Sequence, residues 1–253
     1  FEFPISFIKS INRLGFKSLA ATISVRLITI IPVYQSFNRT SLSIFKVMKN
    51  IYKKSPQKIS YFCLNLFRMQ DAIVIIPTYN EIENIEVILT AVFSQYNEVH
   101  VLVVDDNSPD QTALKVETLQ ATFGHRLFLL KRTGKLGLGT AYIEGFKWCL
   151  SRHYEFIFEM DADFSHNPKD LQSLYEACKT QQADVAVGSR YIKGVNVVNW
   201  PLSRVLLSYG ASLYVRIITG MKVLDPTAGF VCYKRNVLEA IDLNAIRFIG
   251  YAF

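Results

Sequence analysis

Phe156-Ile157-Phe158-Glu159-Met160-Asp161-Ala162-Asp163 decides how this chain is read. The run 156–160 predicts a buried strand, and two carboxylates one residue apart follow it. Alternation along a strand puts residues i and i+2 on the same side, so Asp161 and Asp163 are expected to grip one hard cation between them. At a strand's carboxyl end, where open α/β sheets bind ligands, such a pair suggests a metal holding phosphate oxygens. The chemistry implied is that of nucleotides.

Outward from this stretch the pattern repeats. Residues 72–77 predict a short buried strand, then a helix that Asn80 can cap, with Glu83 three residues on to complete a capping box. Further strands are expected at 99–104, 127–130 and 185–187, and helices at 110–123, ended by Gly124, and at 138–152. Pro168 suits the first turn of the helix after 156–160. Strands alternating with helices of about 10 to 15 residues indicate βαβ units, an α/β fold with a mostly parallel sheet flanked by helices. The segment 200–220 carries only Arg204 and Arg216 as ionised groups. It reads either as a core helix interrupted at Gly210 or as an amphipathic element that touches lipid.

With 253 residues, half of them apolar, the chain can bury one large domain, alone or with an appendage. The net charge of +7 is uneven: residues 1–68 hold eleven Lys and Arg against the single acid Glu2, a balance of +10, and the remainder carries −3. Residues 1–68 read as a basic membrane-surface arm, a small partner domain, or sequence upstream of a natural start at Met69. The third is the expectation, with a catalytic unit at 69–253 that needs nothing from them. The four cysteines are widely spaced, without C-x-x-C or paired histidines, and read as buried or incidental thiols rather than zinc ligands or disulfides. No stretch reaches the roughly 18 uninterrupted apolar residues of a spanning helix.

Each remaining motif has a plain alternative. Pro77-Thr78-Tyr79-Asn80-Glu81 presents Tyr79 for base stacking and Glu81 for nucleoside hydrogen bonds, or is a strand-to-helix turn. In Val104-Asp105-Asp106-Asn107-Ser108-Pro109-Asp110 the adjacent carboxylates need a cation, base or sugar hydroxyl to relieve them; a solvated turn explains only the last four residues. Arg132-Thr133-Gly134-Lys135-Leu136-Gly137-Leu138-Gly139 has the glycines and cations of a phosphate-cradling loop, at a spacing that fits neither common nucleotide fingerprint. Gly188-Ser189-Arg190-Tyr191 puts a cation on the same sheet edge as the acidic pairs. His166 is left out of the metal site as a loop hydrogen-bonder, and Asp225-Pro226-Thr227-Ala228-Gly229-Phe230 reads as a plain turn or the wall of an acceptor pocket.

In order, these motifs, with Leu136-Gly137-Leu138-Gly139-Thr140-Ala141 and Met160-Asp161-Ala162-Asp163 among them, resemble the polyprenol-phosphate (dolichol-phosphate) mannosyltransferases of glycosyltransferase family 2, over almost all of 70–253. The resemblance implies a GT-A fold and an inverting transfer of mannose from GDP-mannose to a polyprenyl phosphate at the cytoplasmic face of a membrane, with Mg²⁺ or Mn²⁺. By the same resemblance Pro77, Tyr79, Glu81, Val104 and Asp106 hold the guanosine; Asp161, Ala162 and Asp163 meet the metal and diphosphate; and Arg190 faces the phosphates. Ser165 stands where some relatives carry a Gln, and Gly250-Tyr251-Ala252-Phe253 looks like the start of a further family motif cut short.

Three other functions compete. One is a family 2 transferase with another donor, such as UDP-glucose, or a glycan acceptor. A receiver-type domain is disfavoured because its acidic pair follows the first strand, and a nucleic-acid or membrane binder would act through residues 1–68 alone. Nucleic acid is not an expected partner.

Overall fold

Residues 72–76, Ala-Ile-Val-Ile-Ile, are apolar throughout, and a strand apolar on both sides belongs mid-sheet with helices over both faces. The computed structural model describes residues 27–30, 69–189 and 202–246, and places that run in the interior of the sheet, with a strand on either side. In chain order the strands among the described residues are β1 (Leu27–Ile30), β2 (Ala72–Thr78), β3 (His100–Asp105), β4 (Leu127–Lys131), β5 (Phe156–Glu159), β6 (Val185–Gly188) and β7 (Val231–Lys234). They form one sheet in the order β1-β6-β7-β5-β2-β3-β4. Neighbours run parallel except for β7, which lies antiparallel between β5 and β6.

The helices are α1 (Ile85–Gln95), α2 (Thr112–Phe123), α3 (Leu138–Leu150), α4 (Leu171–Lys179), α5 (Leu202–Thr219) and α6 (Arg235–Glu239). Strand alternation divides the core into two layers. Val74 and Ile76 pack with Ile88, Leu89, Val116 and Leu174 of α1, α2 and α4. Ile73, Ile75, Leu102 and Val104 pack on the other face with Tyr142 and Phe146 of α3 and Leu238 of α6. The contact of α3 with β2 is close: a Cβ at Gly145 would lie 2.9 Å from Ile75 Cγ2.

The elements expected between residues 72 and 188 are present, with ends moved by one or a few residues, and the α/β class with a mostly parallel sheet holds. Four features differ. Asn80 does not cap α1: it adopts φ 61°, and α1 begins at Ile85, after a turn in which the N–H groups of Asn84 and Ile85 donate to the Glu81 carbonyl. β7 was not expected; it is only four residues long and half-exposed at Tyr233 and Lys234, so neither a long apolar run nor clean alternation marks it. The sheet also takes an edge strand from ahead of Met69, pairing Leu27 with Val185 through Ile30 with Gly188. Finally, α5 runs through Gly210 without interruption, and among the described residues nothing lies within 4 Å of where its Cβ would be, so no packing there forces a break.

Candidate active site

The carboxyl ends of β2 to β5 lie on one edge of the sheet, and the loops after them interlock. Three successive N–H groups of the β2–α1 loop donate to side chains of the β3–α2 loop: Asn80 to Ser108 Oγ (3.1 Å), Glu81 to Thr112 Oγ1 (3.0 Å) and Ile82 to Asp110 Oδ2 (3.0 Å). Asp105, fully buried, accepts from Thr78 Oγ1 (2.8 Å), Ser108 N (2.9 Å) and Ser108 Oγ (2.6 Å). Burial raises the Asp110 pKa, but hydrogen bonds from the Thr112 hydroxyl and the Thr112 and Ile82 N–H groups outweigh it and hold the carboxyl below its usual value. The Asp, Ser, Asp and Thr of Asp105-Asp106-Asn107-Ser108-Pro109-Asp110-Gln111-Thr112 thus build a clamp on the first loop.

Asp106 turns the other way. It forms an ion pair with Arg132, and its Oδ2 accepts from Leu136 N (3.1 Å) and Gly137 N (3.2 Å). Arg132, its side chain 1% exposed, also donates to Glu144 Oε1 (3.1 Å) and Thr140 Oγ1 (2.6 Å). The acidic pair is therefore relieved from within the protein, and Arg132 is spent on that relief rather than offered to a phosphate. Lys135, from the same loop, lies over the Tyr79 ring at 4.1 Å from its centroid. Glu81 accepts from Asn84 Nδ2 (2.8 Å), and Pro77 is half-buried in register with Val104. The Val104 side chain is in the core, so what it presents to the loop edge is its main chain. Ala162 is likewise buried.

β5 ends at Glu159, and Ala162 and Asp163 stand in a turn followed by Phe164 at φ 58°. Strand alternation therefore does not extend to Asp163. Asp161 is half-buried, and Tyr142 of α3 donates to its Oδ1 at 3.3 Å. On the other side a Cβ at Gly229 would lie 3.0 Å from Asp161 Oδ2. Asp163 is exposed, its Oδ1 accepting from Ser165 N at 2.9 Å. Behind Asp161, fully buried Glu159 is pushed up to about 8 by desolvation first and by the Asp161 charge second, against a hydrogen bond from Tyr233. Its Oε1 meets no hydrogen-bond partner among the described residues. Burial and the Asp161 charge also raise the Tyr142 pKa far above its ordinary value, so that hydroxyl remains a donor.

Two carboxylates, with no group of three His, Cys, Asp or Glu side chains among the described residues, suit a hard cation that takes its other ligands from phosphate oxygens and water. Structural zinc wants four protein ligands and catalytic zinc three. The residues present fit Mg²⁺ or Mn²⁺.

The segment 225–230 closes this side. Phe230 stacks on His166, ring centroids 4.9 Å apart, and a Cβ at Gly188 would lie 2.4 Å from the Phe230 ring. Asp225, fully buried, accepts from Thr227 Oγ1 (3.3 Å) and from Ser212 Oγ of α5 (3.4 Å). Other side chains of α5 face outward: Leu206, Leu207, Leu213, Ile217 and Ile218 are exposed, Ile217 by 71%. Among the described residues no helix is long and apolar enough to cross a membrane.

Of the residues expected at the site, Pro77, Tyr79, Glu81, Val104, Asp106, Asp161, Ala162 and Asp163 all fall on this edge of the sheet or in the loops that leave it. Arg190 and the segment 250–253 lie outside the described residues. Sequence reasoning missed Tyr142 and Glu159. Glu159 was signalled only as a polar group inside an otherwise apolar run, and Tyr142 had no sign at all.

A family model described as glycosyl transferase family 2 matches residues 73–242. Polyprenol monophosphomannose synthase of Mycolicibacterium smegmatis is 47% identical over 184 residues, covering 73% of this chain and 69% of the relative. Undecaprenyl-phosphate mannosyltransferase of Micrococcus luteus is 48% identical over 181 residues, covering 72% and 73%. The crystal structure of glucosyl-3-phosphoglycerate synthase from Mycobacterium tuberculosis with Mn²⁺, UDP and glucosyl-3-phosphoglycerate shares the fold at TM-score 0.51 and 15% identity, over 84% of this chain and 65% of that one. The GT-A fold expected from the motifs is thereby met, and the chain, a glycosyltransferase, belongs to glycosyl transferase family 2.

Proposed function

We propose that this chain moves mannose from GDP-mannose to the phosphate of a polyprenyl lipid, with inversion at the sugar, at the cytoplasmic face of a membrane. The observation that carries this reading is the 47–48% identity to two enzymes named for making polyprenyl-phosphate mannose. The site chemistry is compatible with it. Pro77, Tyr79, Glu81, Val104 and Asp106 border the place for the nucleoside, where the Tyr79 ring and the Glu81 carboxylate offer stacking and hydrogen bonding. Asp161 and Asp163, with the Ala162 main chain between them, are the proposed holders of a divalent cation, and Arg190 the cation facing the phosphates.

In the proposed reaction an oxygen of the lipid phosphate attacks the anomeric carbon from the face opposite the diphosphate. The bond from that carbon to the GDP oxygen breaks, and GDP leaves with the electron pair. Mg²⁺ or Mn²⁺, when bound, supplies charge neutralisation for the departing diphosphate. The acceptor phosphate is already ionised at neutral pH, so the protein has no proton to remove. Its work is to position the two substrates and keep carboxylates where the cation is needed. The exposed apolar side chains of α5 support seating at a lipid surface, where the acceptor resides.

The test is transfer of labelled mannose from GDP-mannose to a short polyprenyl phosphate by the full chain with Mn²⁺, beside Asp163→Ala and a parallel assay with UDP-glucose. Lipid-linked mannose from the parent, reduced on the order of 100-fold in Asp163→Ala, is the expected result. Product from UDP-glucose alone would overturn the donor while keeping the family. Liposome flotation addresses the surface: protein remaining at the bottom of the gradient would count against the membrane seat.

A further inference from the structure

We propose that Tyr142 and Gly229 are positioning residues for the Asp161 carboxylate, one anchoring it and the other leaving it room. This rests on the proposed metal site and goes beyond it, because neither residue is offered as a ligand.

Asp161 sits just past the end of β5, one residue beyond Met160, whose N–H donates to the Ile75 carbonyl of β2 at 3.1 Å. Tyr142 approaches from α3, with its hydroxyl 3.3 Å from Oδ1. The ring that carries the hydroxyl is fully buried and stacked against Phe146 one turn along the same helix, which itself meets the edge of Tyr233 from β7. A fully buried ring has little freedom, and its hydrogen bond fixes one carboxylate oxygen. The other oxygen faces the 225–230 segment at Gly229, where an added Cβ would come within 3.0 Å. That is tighter than carbon and oxygen ordinarily approach, so a side chain there would push the carboxylate by a few tenths of an ångström. Gly229 does not need its conformational freedom, as its φ is ordinary; what it supplies is space.

The alternative is that Tyr142 is a core tyrosine whose hydroxyl takes the nearest acceptor, and that Gly229 is small by chance. The two ideas separate on metal binding. Mn²⁺ binding to the full chain in the presence of GDP is measured by electron paramagnetic resonance of the free ion, for the parent, Tyr142→Phe, Gly229→Ala and Asp163→Ala. GDP binding without metal and the metal-free melting temperature are measured alongside. Both Tyr142→Phe and Gly229→Ala are expected to raise the Mn²⁺ concentration at half-saturation by about 5- to 10-fold, within the range of outer-shell changes at metal sites. Their metal-free GDP binding is expected to match the parent's. Gly229→Ala removes no buried group, so it serves if Tyr142→Phe folds poorly. An unchanged half-saturation in either variant overturns its assignment, while the Asp163→Ala loss persists. A parent that binds no Mn²⁺ with GDP overturns the metal site and this inference together.

Discussion

Asp106 and Arg132 illustrate what a single residue pair decides. Both side chains are nearly sealed from water, 7% and 1% exposed; Asp106 is satisfied by Arg132 and the N–H groups of Leu136 and Gly137, and Arg132 by Asp106 and by Thr140 and Glu144 of α3. Removing one partner strands a buried charge, which costs more than the pair contributes. Asp106→Ala is expected to lose about 3 kcal/mol of stability in urea denaturation, and Arg132→Met added to it should recover part of the loss. A loss below about 1 kcal/mol would mean the guanidinium has found water. The sequence signalled that the acidic pair Asp105-Asp106 needed relief, and the structure supplies it to Asp106 from Arg132, 26 positions away. Local spacing carries no record of such a pairing. The same limit hid Tyr142, which looks like one more apolar helix residue until α3 is laid against the end of β5.

Elements were legible in proportion to how much apolar surface they bury. β2, β3 and β5 are buried almost throughout, and their runs announced them. β7 and β1 are four residues each, and their partners are distant in the chain. Packing between elements was the hardest part to foresee. Gly188 ends β6 directly against the Phe230 ring, and the nearest ring carbon would be 2.4 Å from an added Cβ. Gly188→Ala is expected to cost about 1–3 kcal/mol by overpacking. It should also disturb the Phe230–His166 stack, visible as a shift of the His166 ring protons in NMR spectra. A variant as stable as the parent with those shifts unmoved would show that the ring has a second place to go.

At the scale of the whole molecule, the sequence split into a basic first part and an α/β second part, and we propose 69–253 as the unit that binds nucleotide. β1 complicates that division, because its removal bares the β6 edge from Val185 to Gly188. A chain starting at Met69 is expected to bind GDP as tightly as the full chain while self-associating at lower concentration, as sedimentation velocity would reveal. Loss of GDP binding on truncation would move the boundary upstream. The α/β class was legible because it follows from a repeated pattern; the strand order was not, because β7 breaks that pattern.

The insertion of β7 also sets a timetable. β5 and β6 have no ladder with each other; each pairs with β7, whose residues are synthesised more than forty positions after β6 ends. As the chain leaves the ribosome, β2, β3, β4 and β5 have one another to pair with early, while β6 has only β1 until β7 is made and joins the two halves of the sheet. Joining such distant segments is slow compared with local pairing. Gly229 stands two residues before β7 begins at Val231, so the wall beside Asp161 goes up only when β7 joins the sheet. Until β7 docks, the proposed metal site therefore lacks the wall that Gly229 provides beside Asp161.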